Sequence, residues 1–189
     1  MKVILASQSP RRLEILNNHG ILPTVIPADI DETLSDGISY VEAVKMLALK
    51  KAKAVYENIK DNEEYQDAVV VGSDTVVYKD KIMGKPVDAD DAFQMLSSIR
   101  NTEHYVATGV AVIDVSSGIE TVLSDVTVVY CKDYSDEEIW AYIESAKPFD
   151  KAGSYAIQGE FSKYIERIDG DYENVVGLPF HLIESLIKK

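Results

Sequence analysis

The segment Ala68-Val69-Val70-Val71-Gly72 carries no polar side chain at any position. A strand with one solvated face alternates polar and apolar residues, so an unbroken apolar run has to be covered on both faces of a sheet. That requirement points to a layered α/β arrangement with helices packed on a central sheet. Val3-Ile4-Leu5 reads as a second buried strand. The chain has 189 residues, 46% of them hydrophobic, enough to bury such a core in a single domain over 1–189 or in two small lobes that share a sheet.

The N-terminal strand empties into Ala6-Ser7-Gln8-Ser9, and Pro10 suits the first turn of a helix from Arg11 to Asn18 that stops at Gly20. Leu22 to Pro27 reads as a strand leading into the acidic turn Asp29-Ile30-Asp31-Glu32. Ser39-Tyr40-Val41-Glu42 is a capping box that opens a helix to Ile59. The apolar strand is expected to end at Gly72, with a hairpin following over Thr75–Tyr78 and Lys81–Met83. Asp88 caps a helix through Arg100, and two longer strands, His104–Val115 and Glu120–Tyr130, pair antiparallel across Ser116-Ser117-Gly118. Ser135-Asp136-Glu137-Glu138 is a second capping box; short strands at Tyr155–Ile157 and Tyr164–Arg167 precede a final helix from Pro179. The order of elements specifies an α/β fold with mixed strand directions.

Charge and cysteine usage narrow the function. A net charge of −13 and a pI near 4.6 argue against a broad nucleic-acid footprint, which needs a basic face. A few basic groups focused in one cleft, with a divalent cation offsetting nearby carboxylates, would still suit a small polyphosphate. The single cysteine, Cys131, excludes a disulfide framework and a thiolate metal cluster. No apolar run approaches the roughly 18 residues of a membrane span, and the start lacks a signal-peptide layout. The expected setting is the reducing cytoplasm. His19, His104 and His181 are scattered singly, without metal-ligand spacing.

Four stretches can carry chemistry. Around Ser7-Gln8-Ser9-Pro10-Arg11-Arg12, hydroxyls, the free N–H groups of a helix start and an Arg fork converge as an oxyanion site would require. In Gly72-Ser73-Asp74-Thr75, a glycine at a strand end would let backbone approach a ligand, with Asp74 at hand to hold a metal, to take a proton from water, or simply to bond its own turn. Lys85 is restrained between Gly84 and Pro86, which suits a point charge aimed at a phosphate. Gln158, among the small residues of Asp150–Gly159, offers the donor and acceptor that match the edge of a uracil or thymine ring. The phosphate-cradling NTPase loop, the dinucleotide-binding glycine pattern and the Gly-x-Ser-x-Gly nucleophile turn are all absent.

Taken together, Leu5–Arg12, Gly72–Thr75, Gly84-Lys85-Pro86, Asp150–Gly159 and Gly170–Pro179 resemble the Maf family of nucleoside triphosphate pyrophosphatases, also called septum formation inhibitors. The resemblance spans Val3 to the last helix. It implies a mixed sheet in two lobes around a deep cleft, similar to inosine triphosphate pyrophosphatases, a homodimer, and a divalent cation (magnesium, manganese or cobalt). The implied reaction cleaves between the α- and β-phosphates, and a link to cell-division proteins is part of the same picture.

Residue by residue, the resemblance makes Asp74 the proton acceptor and Arg11, Thr75 and Gln158 the residues that set base preference. Ser7, Arg12, Lys53 and Lys85 would grip phosphates, and Glu32 would join Asp74 at the metal. Arg11 and Thr75 match the dTTP/UTP branch rather than the branch acting on methylated guanosine triphosphate, which has tryptophan and glutamine there. Ser73 stands where alanine is frequent, a change expected to be neutral. Two other readings remain: the same reaction on methylated guanosine triphosphate, and a non-catalytic nucleotide-binding regulator of cell division.

Overall fold

A computed structural model describes residues 1–188. The strands are β1 (Lys2–Leu5), β2 (Thr24–Val25), β3 (Ala68–Lys79), β4 (Lys81–Met83), β5 (Glu103–Asp114), β6 (Glu120–Cys131) and β7 (Ile165–Asp169). The α-helices are α1 (Pro10–Asn18), α2 (Tyr40–Ile59), α3 (Ala89–Ile99), α4 (Asp136–Ala146), α5 (Tyr172–Val176) and α6 (Phe180–Ile187). They build a seven-stranded mixed sheet in the order β2-β1-β3-β5-β6-β7, with β4 also paired to β3. β1 runs parallel to β2 and β3; the other pairings are antiparallel. No helix among the described residues is long and apolar enough to cross a membrane.

The two faces of β3 do different jobs. Its even residues, Ala68 and Val70, pack with Ala48, Ala52, Val55 and Ile59 of α2. Its odd residues, Val69, Val71 and Val77, pack with Leu16, Leu96, Ile183 and other residues of α1, α3 and α6. Burying each valine side chain contributes roughly 1.5–3 kcal/mol, which outweighs the roughly 1 kcal/mol by which a glycine weakens an element.

For that reason β3 does not end at Gly72, as the glycine suggested, but continues as one strand to Lys79. Gly72 yields to a helix rather than to a ligand. A Cβ there would lie 2.3 Å from the Ala48 carbonyl oxygen and 2.8 Å from the Ala52 amide nitrogen. Gly109 of β5, opposite Asp74, is covered in the same way, since its Cβ would lie 2.3 Å from the Val44 carbonyl oxygen. The α2 backbone therefore sits directly on the sheet.

Smaller differences follow local chemistry. The Ser135 capping box forms in full, whereas at Ser39 only the bond from the Glu42 amide is made and the Glu42 side chain turns to Lys45. Tyr155–Ile157 is irregular rather than a strand, and Gly170–Pro179 contains the short helix α5, capped by Asp171.

Candidate active site

A cleft opens where one edge of β3 is left free. β1 accompanies β3 only as far as Leu5 opposite Val71, and β4 takes up the same edge only from Met83 opposite Val77. Asp74 and Thr75 lie in the interval, in a cavity of about 720 Å³. Successive side chains of a strand point to opposite faces, so this free edge brings both faces of β3 to one space.

On the α2 face, Asp74 meets Lys51. The Lys51 ammonium donates to Asp74 Oδ1 at 2.6 Å and pairs with Glu32 Oε1 at 2.7 Å. The same hydrogen bond is the main reason that the Glu32 carboxyl is held below its ordinary range, with the charges of Lys51, Lys85 and Arg12 acting in the same direction. Lys51 adjoins Ala52, where helix and sheet touch, so the close seating over Gly72 and Gly109 delivers this ammonium to Asp74.

Lys53 was expected among the phosphate-gripping residues. It lies outside the cleft, exposed, and pairs with Glu120 at 3.0 Å. Two residues along a helix turn the side chain by roughly 200°, so Lys51 and Lys53 cannot serve the same pocket.

On the opposite face of β3, Arg12 is fixed from three sides. Its Nε donates to the Gly177 carbonyl at 2.8 Å, Nη1 to Ser7 Oγ at 3.1 Å and Nη2 to Thr75 Oγ1 at 3.2 Å. A guanidinium has five N–H donors, so others stay available to an anion in the cleft. Burial is the main influence lowering the Arg12 pKa, and Arg11 adds to it, while Asp74 and Glu32 oppose it; the group stays charged. Thr75 Oγ1 also contacts Thr108 Oγ1 at 2.9 Å, so it takes part in orienting the arginine.

Ser73 was expected to be interchangeable with alanine, yet it is fully buried and its hydroxyl lies 2.9 Å from the Gly177 carbonyl oxygen and 3.1 Å from that of Gly109. Ser73 and Arg12 thus share one carbonyl.

The remaining expected residues, Arg11, Lys85 and Gln158, line the same cleft. The Gly153 amide donates to the Gly84 carbonyl at 3.1 Å, which joins the Lys85 turn to the Asp150–Gly159 loop. Gly153 has a φ of +67°, and a Cβ there would lie 2.9 Å from Val77 Cγ2, so only glycine fits. Val77, Met83, Val106, Tyr155, Ile157 and Val176 supply an apolar wall beside Gln158.

Of the residues that the geometry adds, Lys51 stood in the sequence as a near neighbour of Lys53, while Gly177 and Tyr155 lie within the Gly170–Pro179 and Asp150–Gly159 stretches without having been singled out. The Ala48/Ala52 pair was the available signal for Lys51, because small residues four apart mark where a helix backbone meets a sheet. Among the histidines, His181 comes within 3.3 Å of Asp171 and 3.6 Å of Asp125, a grouping that sequence spacing does not show.

Residues 2–189 match the family described as Maf-like protein, and the chain belongs to that family. It is 47% identical over 187 residues to a dTTP/UTP pyrophosphatase of Alkaliphilus oremlandii, covering 99% of this chain and 95% of the relative. It is 44% identical to a dTTP/UTP pyrophosphatase of Caldicellulosiruptor bescii, covering 100% and 94%. A protein of the same name from Bdellovibrio bacteriovorus is 35% identical, covering 99% and 97%. Among solved structures, the Staphylococcus aureus Ham1 protein aligns with a TM-score of 0.47 and 14% identity over 70% of this chain and 73% of that one.

Proposed function

We propose that this protein is a nucleoside triphosphate pyrophosphatase that converts dTTP and UTP to the monophosphate and pyrophosphate. The observation that carries the reading is the single cleft in which Asp74, braced by Lys51, faces the anchored Arg12. Full-length relatives named dTTP/UTP pyrophosphatase support the substrate class.

In this mechanism the oxygen of a water attacks the α-phosphorus, and its proton passes to an Asp74 carboxylate oxygen. The bond from the α-phosphorus to the oxygen bridging to the β-phosphate breaks, and that oxygen leaves with pyrophosphate. Arg12 and Lys85, with Ser7 hydrogen bonds, hold the phosphates and offset the charge that builds on them. Positioning and electrostatic stabilisation supply most of the catalysis in such transfers. Lys51 holds the Asp74 carboxylate in place through its hydrogen bond. Arg11 and Gln158 face the base, with the neighbouring apolar wall excluding water.

Asp74 and Glu32 fit a divalent cation. Both are hard oxygen donors, and they already converge on one positive charge, the Lys51 ammonium. When bound, the cation would neutralise polyphosphate charge.

The test is release of pyrophosphate against orthophosphate from a panel of nucleoside triphosphates with magnesium or manganese. Pyrophosphate from dTTP and UTP, lost in Asp74→Asn with nucleotide binding kept, is the expected outcome. Orthophosphate as the product, or no turnover of any nucleotide by the wild type, would reject it.

A further inference from the structure

We propose that His104 and Tyr155 form a positioning pair that sets base selectivity by holding in place the loop that carries Gln158. This rests on reading Gln158 as the residue that faces the base.

Among the described residues, Tyr155–Gln158 takes part in no main-chain to main-chain hydrogen bond. The bonds on either side are those from the Gly153 and Ser154 amides and from the Ser162 amide to Gly159. Gln158 and Gly159 are exposed, and Gly159 has a φ of +83° with open space where a Cβ would point. A segment without a backbone ladder keeps its shape only through side-chain anchors.

Tyr155 is the anchor with a polar end. Its ring packs on Phe161 at 4.8 Å and meets His104 edge-on at 5.4 Å and 89°. Its hydroxyl lies 2.6 Å from His104 Nε2. Ile157 adds an apolar anchor.

His104 belongs to β5, which is paired along its length with β3 on one side and β6 on the other. The anchor is therefore tied to a central strand of the sheet. Burial, with help from Lys79, pushes the His104 pKa down to about 3, and burial also raises that of Tyr155. The pair is neutral at working pH in either tautomer.

His104 Nδ1 is buried without a partner. A buried histidine with an unpaired nitrogen is costly compared with an apolar residue of similar size. Its compensating contact is the Tyr155 hydroxyl, three residues before Gln158. A site that reads a base through one amide needs that amide placed within a fraction of an ångström.

Tyr155→Phe removes the hydroxyl and keeps the ring, the Phe161 contact and the cleft wall. Two shifts are expected. Limited proteolysis within Ala156–Gly159 should be about tenfold faster, with no new cleavage in β5. The dTTP over dCTP ratio of kcat/KM should fall about tenfold, through KM. His104→Gln should reproduce both shifts, and melting curves of each variant check that it is folded.

Unchanged proteolysis of the loop, or an equal loss of kcat on every nucleotide with selectivity preserved, overturns the proposal. Gln158→Ala run alongside separates the two levels. If that variant keeps full selectivity, the assignment of Gln158 falls, while loop proteolysis in Tyr155→Phe still judges the anchor.

Discussion

The two walls of the cleft are built on different principles. The charged wall stands on regular elements: Asp74 is mid-strand in β3, Lys51 is on α2, and Arg12 is in the first turn of α1. Its precision comes from backbone meeting backbone, since α2 presses on Gly72 and Gly109 with no room for a Cβ. The wall that carries Gln158, proposed to face the base, stands on irregular chain. Gln158 sits in a loop held by side chains. Charges that must face a building negative charge gain from immobility, whereas a wall that discriminates between bases can vary without disturbing the chemistry.

The contrast is sharpest at Asp74, whose loss should have the largest effect. Asp74→Asn should lower kcat for pyrophosphate release from dTTP by roughly 10³-fold, within the span of general-base contributions. A loss below tenfold would move the proton acceptor elsewhere and leave the charged wall as a binding surface only. Next in size is Gly109→Ala, at a position that does not line the cleft. Its methyl would have to push α2 away, at a cost of about 3 kcal/mol, and carry Lys51 off Asp74. Thermal melting and turnover should fall together. Preserved turnover in a destabilised protein would show that the close seating serves stability alone.

Lys51 and Lys53 then provide a matched pair. Lys51→Ala should lower kcat about 10²-fold, comparable to removing one preorganised electrostatic partner. Lys53→Ala, which breaks an exposed pair with Glu120, should change stability by less than about 1 kcal/mol and activity by less than about twofold. Equal effects from the two would mean that the seating of α2 on the sheet is misassigned.

Much of the charged wall was legible because its residues lie in compact motifs. Ser7, Arg11 and Arg12 share a strand-to-helix turn, and Asp74 and Thr75 are adjacent. Two things were hidden. Helical phase decided between Lys51 and Lys53, and the sequence around them is a run of alanines and lysines in which several positions look equivalent. The role of Gly72 was hidden as well, because a glycine that admits a ligand and one that admits a helix backbone look alike until the partner is known. The fold class was more readable, since Val69–Val71 required cover on both faces. The continuation of β3 beyond Gly72 depended on tertiary packing, which no local pattern states. Tyr155 and His104 are 51 residues apart, and neither carries a local signal of the other.

The smallest expected effect bears on Ser73, where the two walls touch. Its hydroxyl has one proton and two carbonyl neighbours, Gly109 on β5 and Gly177 after α5. Ser73→Ala removes that donor, but the Gly177 carbonyl keeps its bond from Arg12 Nε at 2.8 Å. One buried hydrogen bond is lost with a partner still satisfied, so stability should fall by about 1 kcal/mol, or about 2–4 °C in melting temperature for a chain of this size. If Arg12 alone is enough to place Gly177, kcat stays within about twofold of wild type. A tenfold or larger fall in kcat, with folding intact, would mean that the serine fixes the carbonyl and the carbonyl fixes the arginine. The charged wall would then depend on the loop that follows α5, and the division between a rigid wall and an adaptable one would have to be redrawn through Gly177.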